Sequence, residues 1–133
     1  MNKNILSVTN KEISEIIREA VVDPKTRVVE IHGKSIRFSE DYYKFIEKEL
    51  AFPHPCELIT ARYLDWMRDL TWFDYDTYYF VIYDSSYFML SDPDGKKDFF
   101  YCFKEYIFPW WEKEVLYFMV GGKKKTFKIY LVV

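Results

Sequence analysis

Histidine and cysteine are scarce in this chain. His32, His54, Cys56 and Cys102 are the only residues of either type among 133. A zinc site wants four ligands, or three and a water, and a disulfide scaffold wants more cysteines than two. His54 and Cys56 are spaced as a metal or nucleophile pair, yet no further Cys or His stands near them in the sequence. Both cysteines are expected to stay reduced, and no metal or cofactor is expected. Basic charge is not in excess either. Nineteen Lys and Arg against 21 Asp and Glu leave a net charge of -2, which argues against a nucleic-acid partner. No apolar run approaches the roughly 18 residues of a membrane span, and Met1–Ser7 lacks the apolar stretch of a secretory signal. A soluble cytoplasmic protein with no membrane partner is expected. Nucleophile motifs, phosphate loops and metal spacings are all missing, so the chain does not read as an enzyme. Lys123-Lys124-Lys125 beside Gly121-Gly122 reads as an exposed turn, because no helix N-terminus follows to hold a phosphate.

What is present is apolar and aromatic. Half the residues are hydrophobic and 21% are aromatic, enough for an ordinary folded core. A chain of this length is most simply one domain that buries about two-thirds of its unfolded surface. Thr9 and Glu12 have capping-box spacing, and Ile13, Ile16, Ile17 and Ala20 follow at helical intervals until Asp23-Pro24. Arg27–His32 is a β-branched strand closed by Gly33. Ser39 is a good N-cap for a helix carrying Tyr42, Phe45, Ile46 and Leu50, which ends before Pro53. Tyr78–Tyr83 is apolar on both alternating faces, as a covered parallel strand would be. Phe99, Cys102, Phe103, Tyr106 and Ile107 give another helical stripe, which Pro109 is expected to break, with Glu105 facing outward. Val115–Val120 reads as a strand, with an extension of the preceding helix as the alternative. Thr126–Val133 is the clearest strand of all. Strands separated by helices pair in parallel. The expected architecture is α/β: a three-stranded parallel sheet packed with helices, plus an extra N-terminal helix. Residues 1–26 would carry that helix, and 27–133 the main domain.

One helix organises the rest. From about Glu57 to Thr71, turning about 100° per residue, Ile59, Tyr63, Trp66, Met67 and Leu70 gather on one side. Asp65 and Asp69 fall together on the other, where like charges four apart weaken an isolated helix by a few tenths of a kcal/mol. Arg62 and Arg68 offer local neutralisation, so a solvated helix face is the plain reading.

Taken together, a strand ending in Gly33, a helix ending Glu49-Leu50-Ala51-Phe52-Pro53, and Leu64-Asp65 with Met67 and Asp69 on the next helix resemble the barstar family. Phe103-Lys104-Glu105 is similar to that family's Phe-Arg-Glu on its penultimate helix, and the likeness spans roughly residues 27–133. Barstars are bacterial inhibitors of barnase-type ribonucleases. The resemblance implies an antitoxin or immunity protein, monomeric when free, that plugs the basic cleft of a ribonuclease toxin. Asp69 would be the main phosphate mimic, Asp65 its neighbour, and Glu105 would reach a basic rim. Glu57, Arg62 and Arg68 complete the expected partner-binding set. The chain departs from the family in having Pro55-Cys56 for an aromatic pair, about four extra residues after Pro53, and Arg68 where Trp is frequent. The alternative is a barstar-fold interaction module with a non-nuclease partner, meeting it through Trp72, Phe73 and Tyr75.

Overall fold

Thr9 caps the first helix as its spacing to Glu12 predicts. In a computed structural model that describes residues 2–133, the Glu12 N–H donates to Thr9 Oγ1 at 3.1 Å, and the Thr9 N–H to Glu12 Oε1 at 2.9 Å. The helix so started is α1 (Asn10–Ala20). Immediately before it runs a strand that the sequence reading did not anticipate. This strand, β1 (Ile5–Val8), pairs in parallel with β4 (Thr126–Val132), Ile5 opposite Ile129 and Val8 opposite Val132. The sheet therefore has four strands rather than three. Its order is β1-β4-β3-β2, with β2 spanning Thr26–His32 and β3 Thr77–Tyr83, and every pairing is parallel. Only four residues long, with Leu6 and Ser7 exposed at the sheet edge, β1 shows too little alternation to be read without its partner.

Successive strand side chains point to opposite faces. On one face Val81, Tyr130 and Val132 meet Val8 and Ile13, so α1 covers that side. The other face presents Val29, Ile31, Tyr78, Phe80, Ile82, Phe127 and Ile129 to all the remaining helices, and the larger core lies there. Gly33 ends β2 where a Cβ would sit 2.5 Å from the carbonyl oxygens of both Tyr83 and Asp84, so only glycine lets the ends of β2 and β3 come this close.

Two helices follow, α2 (Ser39–Glu49) and α3 (Thr60–Met67). After β3, helix α4 (Pro93–Cys102) runs through two wide turns, Phe103–Ile107 and Trp110–Glu114, into α5 (Val115–Phe118). Pro109 thus does not break the helix. Proline has no N–H, and its ring presses on the carbonyl four residues back. In the wide turns the bonds reach one residue further, Phe108 N–H to the Phe103 carbonyl and Val115 N–H to the Trp110 carbonyl, which gives the ring room. Because the helix survives, Val115–Phe118 is its last turn and not a strand. Among the described residues no helix is long and apolar enough to cross a membrane.

Asp92 joins two of these helices. Its Oδ1 accepts the Gly95 N–H at 2.9 Å and so caps α4, while Oδ2 accepts the Ser39 N–H and hydroxyl, both at 2.9 Å. Ser39 is therefore not the N-cap expected of it; it is the first residue of α2, and the Phe38 N–H donates instead to Asp41 Oδ2 at 3.0 Å. The Ser39 and Gly95 N–H groups hold the Asp92 carboxyl below its ordinary 3.8. A carboxylate whose pKa is lowered by folding contributes stability above the unfolded value and loses it as pH falls through the folded one. Asp92→Ala is accordingly expected to melt below the parent at pH 7, with the gap narrowing as pH is taken well under 3.8. Circular-dichroism melts across that range would measure it, and a gap of constant size would contradict the role.

Candidate functional site

The organising helix is shorter than its periodicity suggests. Glu57 (φ 50°) and Leu58 (φ 61°) are left-handed just before it, and Leu70 (φ 55°) just after, so the regular turns are confined to α3. Non-glycine residues there cost roughly 1–2 kcal/mol each relative to right-handed backbone, and hydropathy carries no trace of it. The consequence for the aspartates is direct. Asp65 stays on the helix with its side chain 73% exposed, but Asp69 lies beyond the last turn, half-buried, its Oδ1 accepting the Thr71 N–H at 3.2 Å. The two are not stacked on one helical face. Tyr63, Met67 and Leu70 are buried as expected, joined by Leu64, whereas Ile59 is exposed and Trp66 half-exposed.

Three contacts fix α3 in place. The Tyr63 hydroxyl meets that of Tyr42 on α2 at 2.6 Å, with both rings buried, and burial pushes both phenols well above their ordinary range. The indole N–H of Trp111 donates to the Met67 carbonyl at 2.9 Å, satisfying an acceptor that the end of α3 would otherwise leave bare. Upstream, Glu47 Oε2 accepts the Cys56 N–H at 3.0 Å and its thiol at 3.2 Å, pinning the connector Phe52–Ile59 to α2. Burial, then the Glu47 carboxylate, push the Cys56 thiol up to about 11, so it is a packed thiol and not a nucleophile. Among the described residues no three His, Cys, Asp or Glu side chains converge as a metal set.

An open depression of about 580 Å³ lies over α3, lined by His54, Pro55, Glu57, Arg62, Asp65, Trp66 and Asp69. It brings together four of the six sequence candidates: Glu57, Arg62, Asp65 and Asp69. Three carboxylates face one guanidinium, and Arg62 bonds Glu57 at 2.8 Å rather than either aspartate. Among the described residues no cation lies within 4.0 Å of the Asp69 carboxylate. Arg68 is turned aside. Its Nε donates to the Leu64 carbonyl at 3.3 Å, its guanidinium lies 5.9 Å from the Trp110 ring centre, and only a loose 3.8 Å approach links it to Asp65. With Asp69 it lines the adjoining depression of about 430 Å³. Glu105 is exposed on the wide turn that packs against α3, but lines neither depression.

His54, Pro55 and Trp66 are the lining residues outside the candidate set read from the sequence. In the sequence His54 stands out only as a metal or nucleophile partner of Cys56, and Trp66 only as a core residue. Their rings sit 6.2 Å apart, and Trp66, although inside α3, borders the side that Tyr63, Leu64 and Met67 turn to the core. Trp72, Phe73 and Tyr75 are half-buried against the core, with the Trp72 indole donating to the Leu50 carbonyl at 2.8 Å. No protein-family model matches the chain, and comparisons with curated proteins and with solved structures find no match either.

The buried hydroxyl pair gives a test of how α3 is held. Tyr63→Phe leaves the Tyr42 hydroxyl unpaired and is expected to cost about 1–3 kcal/mol. Removing both hydroxyls in Tyr42→Phe/Tyr63→Phe should cost less than the two single changes added together. Urea unfolding of the four proteins measures the cycle, and strict additivity would show that the pair does not act as one.

Proposed function

We propose that the chain is a barstar-like inhibitor, an antitoxin or immunity protein that blocks the active site of a bacterial ribonuclease by occupying it rather than by any turnover of its own. The observation that carries this reading is the pair Asp65 and Asp69, presented over a half-exposed tryptophan, with no cation within 4.0 Å of the Asp69 carboxylate among the described residues. A ribonuclease cleft is lined with Arg, Lys and His to hold phosphates. Carboxylates fixed on a helix end and the turn after it can take the phosphate positions through charge-assisted hydrogen bonds. Residues that stay put on binding lose little entropy, which favours affinity. The resemblance to the barstar family supports the same surface, and Arg68, turned onto Trp110, does not line the depression. Acidic against basic surfaces also speeds encounter and makes it salt-sensitive.

A second reading, a barstar-fold module for a partner that is not a nuclease, draws support from the Glu57–Arg62 bond, which neutralises part of the depression internally. Titration against a barnase-type ribonuclease separates the two. Inhibition at one-to-one stoichiometry, weakening as salt is raised, is expected. Asp69→Ala should lose at least about tenfold in affinity, or about 1.4 kcal/mol. If Asp65→Ala/Asp69→Ala inhibits as tightly as the parent, the phosphate-mimic assignment is wrong.

A further inference from the structure

The end of the molecule beyond the long helix exposes five apolar residues in a row. Leu116, Tyr117, Phe118, Met119 and Val120 are 51%, 71%, 73%, 52% and 107% exposed. This is a built projection rather than slack chain. The Met119 N–H returns to the Val115 carbonyl at 3.2 Å and the Gly122 N–H to the Met119 carbonyl at 3.0 Å. Gly121 takes φ +70°, and a Cβ on Gly122 would stand 2.3 Å from the Val115 carbonyl oxygen, so the turn needs both glycines. The Phe118 ring stacks on Trp110, 6.3 Å between centres. A contiguous apolar surface that the fold holds out to water marks an interaction site.

What lies beside it indicates the partner's chemistry. Leu116 also forms part of the wall of an open cleft of about 890 Å³, which Lys3, Lys113 and Lys123 to Lys125 help to line. Only two carboxylates share that cleft, Asp76 and Glu112, and Asn4 Nδ2 already donates to Glu112 at 2.6 Å. Among the described residues none of the five ammonium groups comes within 4.0 Å of a carboxylate. A chain of net charge -2 has thus gathered five lysines beside its most exposed apolar segment, of which Lys125 is held by the Tyr75 carbonyl and the Trp111 ring while the other four are exposed. An apolar tip bearing Tyr and Phe with lysines at its base suits a bilayer interface, where aromatic rings settle at headgroup level and ammonium groups meet lipid phosphates.

We propose that this end of the molecule docks on an anionic phospholipid surface, with Tyr117 to Val120 entering the interface and the lysine cleft receiving headgroups. This is peripheral binding, separate from the acidic depression over α3, and it does not depend on the inhibitor reading. The full chain is sedimented with vesicles of phosphatidylcholine alone and with vesicles one-third phosphatidylglycerol. Binding to the second and little to the first is expected. Phe118→Ser/Val120→Ser and Lys123→Glu/Lys124→Glu should each lower the partition coefficient at least about tenfold. All four positions are exposed, and matching circular-dichroism melts establish that the variants fold. Failure to bind anionic vesicles, equal binding to both kinds, or variants that bind as the parent does would each overturn the proposal. So would a concentration-dependent dimer that Phe118→Ser/Val120→Ser abolishes without any vesicle binding, since that would make the tip a protein interface.

Discussion

The hydrogen bond from the Trp111 indole to the Met67 carbonyl couples the two parts of the chain that matter most to its surface. On one side is α3, eight residues long and too short to hold its own shape in water. On the other is the long helix that begins at Pro93 and passes Pro109 through its wide turns. Had Pro109 stopped that helix, Trp111 would have no fixed azimuth and the end of α3 no donor. The same turn that carries Trp111 inward brings Trp110 under Arg68, so one helical segment both anchors α3 and draws its cation aside.

Much of the core was legible in residue pattern because burial and periodicity agree there. Val29, Ile31, Phe80, Ile82 and Ile129 alternate as covered parallel strands must, and Tyr42, Ile46, Phe99 and Phe103 recur at helical spacing. Elements whose existence depends on a distant partner were not legible. The strand at Ile5–Val8 is defined by β4, more than a hundred residues away, and the passage through Pro109 by bonds one residue longer than those of an α-helix. In the site, the residue types at Glu57, Arg62, Asp65 and Asp69 could be picked from the sequence. Their arrangement could not, because it turns on left-handed backbone at Glu57, Leu58 and Leu70, where side-chain chemistry gives no hint of positive φ.

That backbone has a physical consequence beyond shortening a helix. Leu70 is fully buried while its backbone is strained, so core burial, worth about 1.5–3 kcal/mol for a leucine, offsets the left-handed cost. Leu58 is half-exposed and has no such compensation, and strain of that kind persists only where surrounding contacts over-determine it. Those contacts are the Glu47 bonds to Cys56, two residues earlier, and the Tyr42–Tyr63 pair, five residues later. The connector into α3 is therefore held at both ends by buried or half-buried groups, and its exposed side chains project from a backbone that the core has fixed.

Charge is distributed along the same line. The depression over α3 is rich in carboxylates, the cleft at the foot of the long helix is rich in lysines, and the depression shared by Asp69 and Lys123 lies between them. A net charge near zero conceals this polarity entirely. Two opposite fields a short distance apart would cancel for a partner that spanned both, and each acts at full strength only on a partner confined to its own end. Screening reinforces the separation, since at physiological salt a charge is felt over about 8 Å. A cationic cleft placed over Asp65 and Asp69 would meet carboxylates first and lysines only weakly. An anionic surface approaching Tyr117 to Val120 would meet the reverse.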